Sequence, residues 1–275
     1  MHSQQQKGEI FRALHERPGC FVIPNPWDAG SSKLLASLGF EALATTSAGL
    51  AFSLGRADGK NLISREETFA NVRDIVTATS LPVSADLENG FHDDAAGVYE
   101  TISQATAAGL VGGSIEDATG DADNPIYSFE LAVERMTAAV EAAKASPFPF
   151  VLTARAENFL YGRPNLEDTI RRLQAFQEAG ADVLFAPGLK SREDIATLVR
   201  EVDLPVSVVM GLSGVTLSVQ ELTEIGVKRI SLGSSLNRAA LGALLGAADE
   251  ILTKGTFSFA ENAAPYGDLN MRFGK

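Results

Sequence analysis

Three carboxylates stand where short β-rich runs give way to turns: Asp86 and Glu88 in Ser84-Ala85-Asp86-Leu87-Glu88-Asn89-Gly90, and Glu116 in Ser114-Ile115-Glu116-Asp117. Carboxylates gathered in a pocket repel one another unless a proton or a cation sits among them, and hard oxygen donors suit Mg²⁺, or Mn²⁺, held partly through water. Asp86 and Glu88 are two residues apart, so an extended strand would place both on one side. The competing reading makes such acids helix caps or solvated rim residues, and Asp117 is read mainly in that way. Arg155, in Thr153-Ala154-Arg155-Ala156-Glu157-Asn158, is either a structural ion-pair partner or a clamp for a substrate carboxylate.

Weaker signals surround this set. Thr45-Thr46-Ser47-Ala48-Gly49-Leu50 is a small-residue turn that either presents N–H groups and a hydroxyl to an anion or simply packs tightly. Asp58, within Ser53-Leu54-Gly55-Arg56-Ala57-Asp58-Gly59, is a further acid or an ordinary Asp-Gly turn. Trp27 and Asp28 either line a pocket mouth or supply a packing aromatic and a helix cap, the second being favoured. The histidines, His2, His15 and His92, fall outside the strand ends, which disfavours a histidine triad or a histidine-rich metal site.

Residues at strand ends do chemistry when a barrel aims them at one point. Eight β-rich runs alternate with segments of helical period: Cys20 to Pro24, Ala42 to Ser47, Pro82 to Asp86, Gly113 to Glu116, Phe150 to Arg155, Val183 to Ala186, Pro205 to Val209 and Arg229 to Leu232. Amphipathic stretches between them, such as Ser64 to Thr79, Asp93 to Ala108, Ser128 to Lys144, Leu166 to Ala179 and Arg192 to Val202, are long enough for parallel crossovers. Gly39, Gly109, Gly180 and Gly226 each follow a helical stretch and precede a strand, where a left-handed residue closes the helix. The pattern predicts an α/β fold, a single (β/α)₈ TIM-type barrel. An N-terminal helix extension occupies 1–19, the barrel 20–253 with a long last helix from Leu236 to Thr253, and an aromatic tail 254–275.

Composition narrows the partners. A formal net charge of −12 disfavours nucleic acid and anionic membranes, so an anionic substrate needs a locally built site. Cys20 is the lone cysteine, which leaves no internal disulfide and no CxxC pair. The start, Met1 to Lys7, is polar, and no apolar run is long enough to span a bilayer, so a cytoplasmic protein is expected.

Five motifs in order, Pro24-Asn25-Pro26-Trp27-Asp28-Ala29-Gly30, Thr46-Ser47-Ala48-Gly49, Asp86-Leu87-Glu88-Asn89-Gly90-Phe91, Ser114-Ile115-Glu116-Asp117 and Ala154-Arg155-Ala156-Glu157-Asn158-Phe159, resemble the isocitrate lyase/phosphoenolpyruvate mutase superfamily from about Phe21 to Ala248. The resemblance implies a (β/α)₈ barrel, a homotetramer built as a dimer of dimers with the eighth helix swapped between subunits, and Mg²⁺-dependent stabilisation of a 2-oxo acid enolate. It places Asp86, Glu88 and Glu116 around the metal, Arg155, Ser47, Ala48 and Gly49 on the 2-oxo acid, and Asp58 nearest both. Trp27 and Asn124 join the expected substrate contacts.

Two departures matter. Glu88 stands where relatives carry Asp. The loop Ala118-Thr119-Gly120-Asp121-Ala122-Asp123-Asn124-Pro125-Ile126-Tyr127 lacks the Lys-Lys-Cys-Gly-His of isocitrate and methylisocitrate lyases, so those substrates fit poorly. Its Gly and Asp content suits a mobile lid. The expectation is a Mg²⁺-dependent carbon–carbon lyase acting on a small 2-oxo acid or 2-hydroxy dicarboxylate. The alternatives are a phosphonopyruvate mutase or hydrolase and a non-catalytic 2-oxo acid binder.

Overall fold

In the computed structural model, which describes residues 2–274, the β-rich runs become eight short parallel strands, each buried where the helical segments cover it. Helix α1 (Gln4–Glu16) precedes β1 (Phe21–Ile23), α2 (Ala29–Ser37), β2 (Leu43–Ala44) and the short α3 (Ser47–Ser53). Then follow α4 (Arg65–Ala78), β3 (Val83–Asp86), α5 (Ala95–Ala107), β4 (Gly112–Glu116), α6 (Phe129–Lys144), β5 (Val151–Arg155) and α7 (Leu166–Ala179). The barrel ends with β6 (Val183–Phe185), α8 (Arg192–Glu201), β7 (Val206–Val209), α9 (Val219–Ile225) and β8 (Arg229–Ser231), and α10 (Ser235–Lys254) leads to a 3₁₀ turn (Ser258–Asn262) and α11 (Tyr266–Phe273). Gly39, Gly109, Gly180 and Gly226 all adopt positive φ, from 93° to 106°, as their place between helix and strand predicts.

The strands are ordered β1-β8-β7-β6-β5-β4-β3-β2. The ring is drawn together between β1 and β2 by the Ala44 N–H on the Pro24 carbonyl, 3.1 Å. Buried Asn25 reinforces this seam, donating to the Thr45 carbonyl and accepting from the Leu232 N–H, so one amide ties the ends of β1, β2 and β8.

Strand alternation sorts the side chains into two populations. Ala85, Ile115, Leu152, Ala154, Val208 and Ile230 face the helices and join the main core. The interior set is layered. At the strand starts Phe21, Val111, Val151 and Val183 pack with Phe11 and Leu14 of α1, which plugs the barrel floor. His15 stacks edge-on against Phe11 and Phe21, and its Nδ1 meets the Phe11 carbonyl at 2.8 Å, which makes Nδ1 the donor. Above the plug, Ser84, Ser114, Thr153, Ser207 and Ser231 share the interior with Arg229, and Asp86, Glu116 and Arg155 end the same alternation at the strand tops.

The strand expected from Ala42 to Ser47 is shorter than its sequence suggests. Thr46 turns to cap α3, its side chain accepting from the Gly49 N–H, so Ser47 begins a helix instead of ending a strand. The tail is partly ordered on its own chain: Arg272 donates to the Ser37 hydroxyl at 2.8 Å, which docks α11 on α2. Helix α10 is different, with Leu244, Leu245, Ile251 and Leu252 exposed. No helix among the described residues is long and apolar enough to cross a membrane.

The floor predicts its own weak point. A Cβ at Gly112 would lie 2.7 Å from the Phe11 ring and 2.8 Å from the Val151 carbonyl. Gly112→Ala should therefore overpack the plug and cost about 1–3 kcal/mol, read as a fall of several degrees in melting temperature; an unchanged melting temperature would show that α1 does not close the floor.

Candidate active site

Arg155, the last residue of β5, is surrounded by carboxylates. Its Nη1 donates to Asp86 Oδ1 at 2.8 Å, its Nη2 lies 3.0 Å from Glu116 Oε2, and its Nε donates to Glu157 Oε1 at 2.8 Å. All three edges of the guanidinium are thereby used, and the ring of Phe185 lies 5.3 Å away. The second oxygen of Asp86 accepts from the Ser47 hydroxyl at 2.8 Å and the Ser47 N–H at 3.3 Å. The start of α3 does bind a carboxylate, and that carboxylate is Asp86.

Glu88 reaches the same place by a different route from the one its spacing suggests. Strand β3 stops at Asp86, and Glu88 takes the left-handed conformation, φ 49°, with its carbonyl accepting from the Glu116 N–H at 3.0 Å. A non-glycine residue there costs about 1 kcal/mol, so the surroundings must hold the turn. Arg135 of α6 does so: fully buried, it donates to the carbonyls of Asn89, His92 and Asp93. Its guanidinium lies 4.1 Å from the centre of the Tyr127 ring, and the Tyr127 hydroxyl donates to Asp93 at 2.5 Å.

Five carboxyl groups, Asp58, Asp86, Glu88, Glu116 and Glu157, crowd around the single guanidinium of Arg155. Burial, then the charges of Asp86 and Asp58, push Glu88 up to about 7. Burial and Asp86 raise Asp58, and burial lifts Glu116 well above the usual carboxylate range although Arg155 opposes it. Glu157 is pushed up to about 7, again chiefly by burial. The mouth is short of positive charge. Among the described residues no three such groups converge closely enough to ligate one ion directly. The donor chemistry would suit a hard divalent cation that keeps part of its water shell, and Asp86, Glu88 and Glu116 are the carboxylates that could face it through water.

Two cavities meet at this cluster. One, of about 200 Å³, is lined at its mouth by Ser47, Ala48, Asp58, Asp86 and Arg155 and deeper in by Arg229. The other, of about 300 Å³, has Asp58, Glu88, Glu116, Glu157 and Tyr161 on its walls. Its cover is the segment after β4, where Ala118 and Ile126 pair as an antiparallel bridge and Thr119 donates to the Asn124 carbonyl at 2.6 Å. Gly120 lies so close to Asn61 that a Cβ would fall 2.2 Å from its amide, so this cover touches the segment carrying Asp58.

Of the residues expected at the site, the structure brings Asp58, Asp86, Glu88, Glu116, Ser47, Ala48 and Arg155 to the two adjoining cavities. Three expected substrate contacts fall elsewhere. Gly49 donates its N–H to the Thr46 hydroxyl, and a Cβ there would sit 2.5 Å from Thr46 and 3.0 Å from Trp27. Its role here is close packing. Trp27 backs that contact and lies on neither cavity wall, because Asp28 caps α2 and fixes the turn around it. Asn124 is exposed and on neither wall, since the Ala118–Ile126 bridge sets it at the outer bend. Asp117 is structural, paired with Arg172 at 3.1 Å and accepting from the Glu157 N–H at 2.8 Å. Glu157 and Arg229 were not singled out as site residues. The Arg155-Ala156-Glu157 spacing could have indicated the first, whereas Arg229 looks like any strand start.

The chain is similar to known proteins along most of its length. The family model described as phosphoenolpyruvate phosphomutase matches residues 11–252. An oxaloacetate decarboxylase of Bradyrhizobium diazoefficiens is 31% identical over 209 residues, 74% of this chain and 70% of that protein. A solved structure of a candidate lyase/mutase from Burkholderia cenocepacia J2315 is 58% identical with a TM-score of 0.96, covering 99% of this chain and 97% of that one. A phosphonopyruvate hydrolase solved with oxalate and Mg²⁺ is 25% identical with a TM-score of 0.86, covering 98% of this chain and 95% of that one.

The raised carboxyl of Glu88 has a consequence for stability. The folded protein binds its proton more tightly than the unfolded chain does, so its contribution is complete near pH 4.5 and is lost as pH rises towards about 7. Glu88→Gln should stabilise the metal-free protein by about 1–3 kcal/mol at pH 8 and converge on the wild type below pH 5. Parallel melting curves across pH would contradict the burial of this charge.

Proposed function

This chain belongs to the phosphoenolpyruvate phosphomutase family, and from that premise we propose that it is a Mg²⁺-dependent carbon–carbon lyase acting on a small 2-oxo acid or 2-hydroxy dicarboxylate through an enolate. The observation that carries the reading is Arg155, held between Asp86, Glu116 and Glu157 at the mouth of a cavity that also exposes Asp58 and Ser47. A guanidinium pre-oriented in this way can exchange one of its carboxylate partners for that of a substrate. Mg²⁺, or Mn²⁺, among Asp86, Glu88 and Glu116 would supply a Lewis acid toward the 2-oxo oxygen; the hydrolase relative was solved with that ion and oxalate.

The remaining work belongs to the chain. Arg155 and the Ser47 hydroxyl hold the substrate carboxylate, which fixes the plane in which the enolate electrons delocalise. When a 2-hydroxy acid is cleaved, its hydroxyl proton must leave as the carbon–carbon bond electrons pass to the departing enolate carbon, which then takes up a proton from solvent. Asp58, raised by burial and by Asp86, is the acid–base group we assign to that proton. The Ala118–Tyr127 cover contains no Lys, Arg, Cys or His. It therefore offers no cation for a transferring phosphoryl group, which favours a carbon leaving group, and no thiol acid, so the proton for the departing carbon comes from elsewhere.

Exposed Leu244, Leu245, Ile251 and Leu252 on α10 support a homo-oligomer in which this helix is covered by another copy, as in the tetramer expected from the family resemblance. Light scattering should give a multiple of 29.1 kDa; a monodisperse monomer would remove this part of the reading. The lone Cys20 and the acidic charge are consistent with a cytoplasmic setting.

Incubation with Mg²⁺ and a panel of oxaloacetate, 2-hydroxy dicarboxylates and phosphonopyruvate should show carbon–carbon cleavage that chelation abolishes and that Arg155→Lys lowers about a hundredfold or more. Phosphate release from phosphonopyruvate outrunning every carbon–carbon cleavage would overturn the assignment. Ligand-induced stabilisation with no substrate consumed would identify a binder.

A further inference from the structure

Of the two arginines lining the cavity, only Arg229 has a guanidinium nitrogen without a partner. It is 6% exposed, its Nε donates to Ser207 Oγ at 3.0 Å and its Nη2 to Thr153 Oγ1 at 2.9 Å, while Nη1 is buried with no partner. Both bound partners are neutral hydroxyls. Among the described residues no carboxylate lies within 4.0 Å of it, whereas the carboxylates above are taken by Arg155. Beneath it His15, driven down to about 3 by burial and by the charge of Arg229, is neutral. Arg229 itself is lowered to about 9 by burial and by Arg155, and so stays protonated at neutral pH.

A buried cation with neither counter-ion nor full hydrogen bonding is costly, and a fold that retains one gains when an anion occupies the free edge. The cavity reaches the Arg229 side chain, and because Nη1 is itself closed to solvent, an anion at that edge requires the guanidinium to turn toward the cavity. Its walls run from Arg155 and Asp58 at the mouth past the hydroxyl-bearing residues Ser84, Ser114 and Ser231 to Arg229. Thr153, bonded to Arg229, precedes Arg155 on β5 by two residues, about 7 Å of strand rise. We propose that Arg229 forms a second, deep carboxylate-binding subsite, one interior layer below Arg155. Its ligand is a small carboxylate group, either the far end of a dicarboxylate substrate or a free small anion. Only the first of these sources rests on the lyase reading.

The probes are succinate, acetate and bromide, applied to the Mg²⁺-loaded protein. Arg229→Met keeps an unbranched apolar stem in the barrel and removes the buried charge, so it is expected to fold. If the subsite takes the far end of a dicarboxylate, this variant should weaken succinate binding about tenfold to a hundredfold in calorimetry and leave acetate within twofold. Equal weakening of acetate and succinate also supports the subsite and assigns it to a free anion. Crystals of the unaltered protein soaked in bromide give an independent reading that does not depend on the variant: anomalous density beside Arg229 Nη1 supports the site, including where succinate binding is unchanged. Unchanged succinate binding together with no bromide at Nη1 overturns it, and if the variant does not fold the bromide result alone decides. Failure of the lyase reading would look different, as carboxylate binding that depends on Arg229 with no substrate turned over.

Discussion

The guanidinium of Arg155 joins three barrel strands at the point where their charges would otherwise repel. Asp86 arrives on β3, Glu116 on β4 and Glu157 just beyond β5, and each uses a different edge of one planar group. Removing any of these charges from water is affordable only because the others are already in place. The same arrangement leaves the mouth over-supplied with carboxylates, since among the described residues Asp58 and Glu88 face the cluster without a salt bridge of their own. Stability and function pull in opposite directions here: protonation or a divalent ion relieves the excess, and the excess is what makes the mouth attractive to such an ion.

That cluster depends on a layered interior. Strand alternation projects β5 residues Val151, Thr153 and Arg155 inward, which are in turn apolar, hydroxyl-bearing and charged. The plug formed with Phe11 keeps the floor dry, the hydroxyl layer satisfies Arg229 on two edges, and the charged layer sits where substrates enter. A gradient from apolar to ionic along the barrel axis lets one sheet serve as both core and active site.

Much of this was legible in the sequence, for identifiable reasons. Asp86, Glu116 and Arg155 end regular strands, and period-two alternation places such residues reliably. Gly39, Gly109, Gly180 and Gly226 close helices in a conformation that favours glycine. The spacing of Glu88 predicts a strand geometry that it does not adopt, because nothing in Leu87-Glu88-Asn89 announces a left-handed turn; that turn is held by Arg135, which lies over forty residues away in sequence. Gly49 and Trp27 illustrate the converse. A motif marks both, yet here the pair meets through a backbone approach too close for any side chain on Gly49. Arg229 carries no signal of its role in the sequence, since a basic residue at a strand start usually faces solvent, and only the assembled barrel shows that it faces the interior.

Two further buried arginines show how the mouth keeps its shape. Arg135 holds the carbonyls of the turn after β3, while Arg172 of α7 pairs with Asp117 and also donates to the Tyr127 carbonyl. Tyr127 therefore lies at the junction of both networks, with its ring against Arg135 and its backbone on Arg172. It is also the residue at which the segment covering the cavity rejoins the barrel. Anchoring the end of the cover this firmly leaves 121–124 exposed at its outer bend, away from the carboxylates below. On the proposed lyase reading, the barrel would hold the common end of the substrate, and discrimination at the other end would fall to the few exposed residues of this cover.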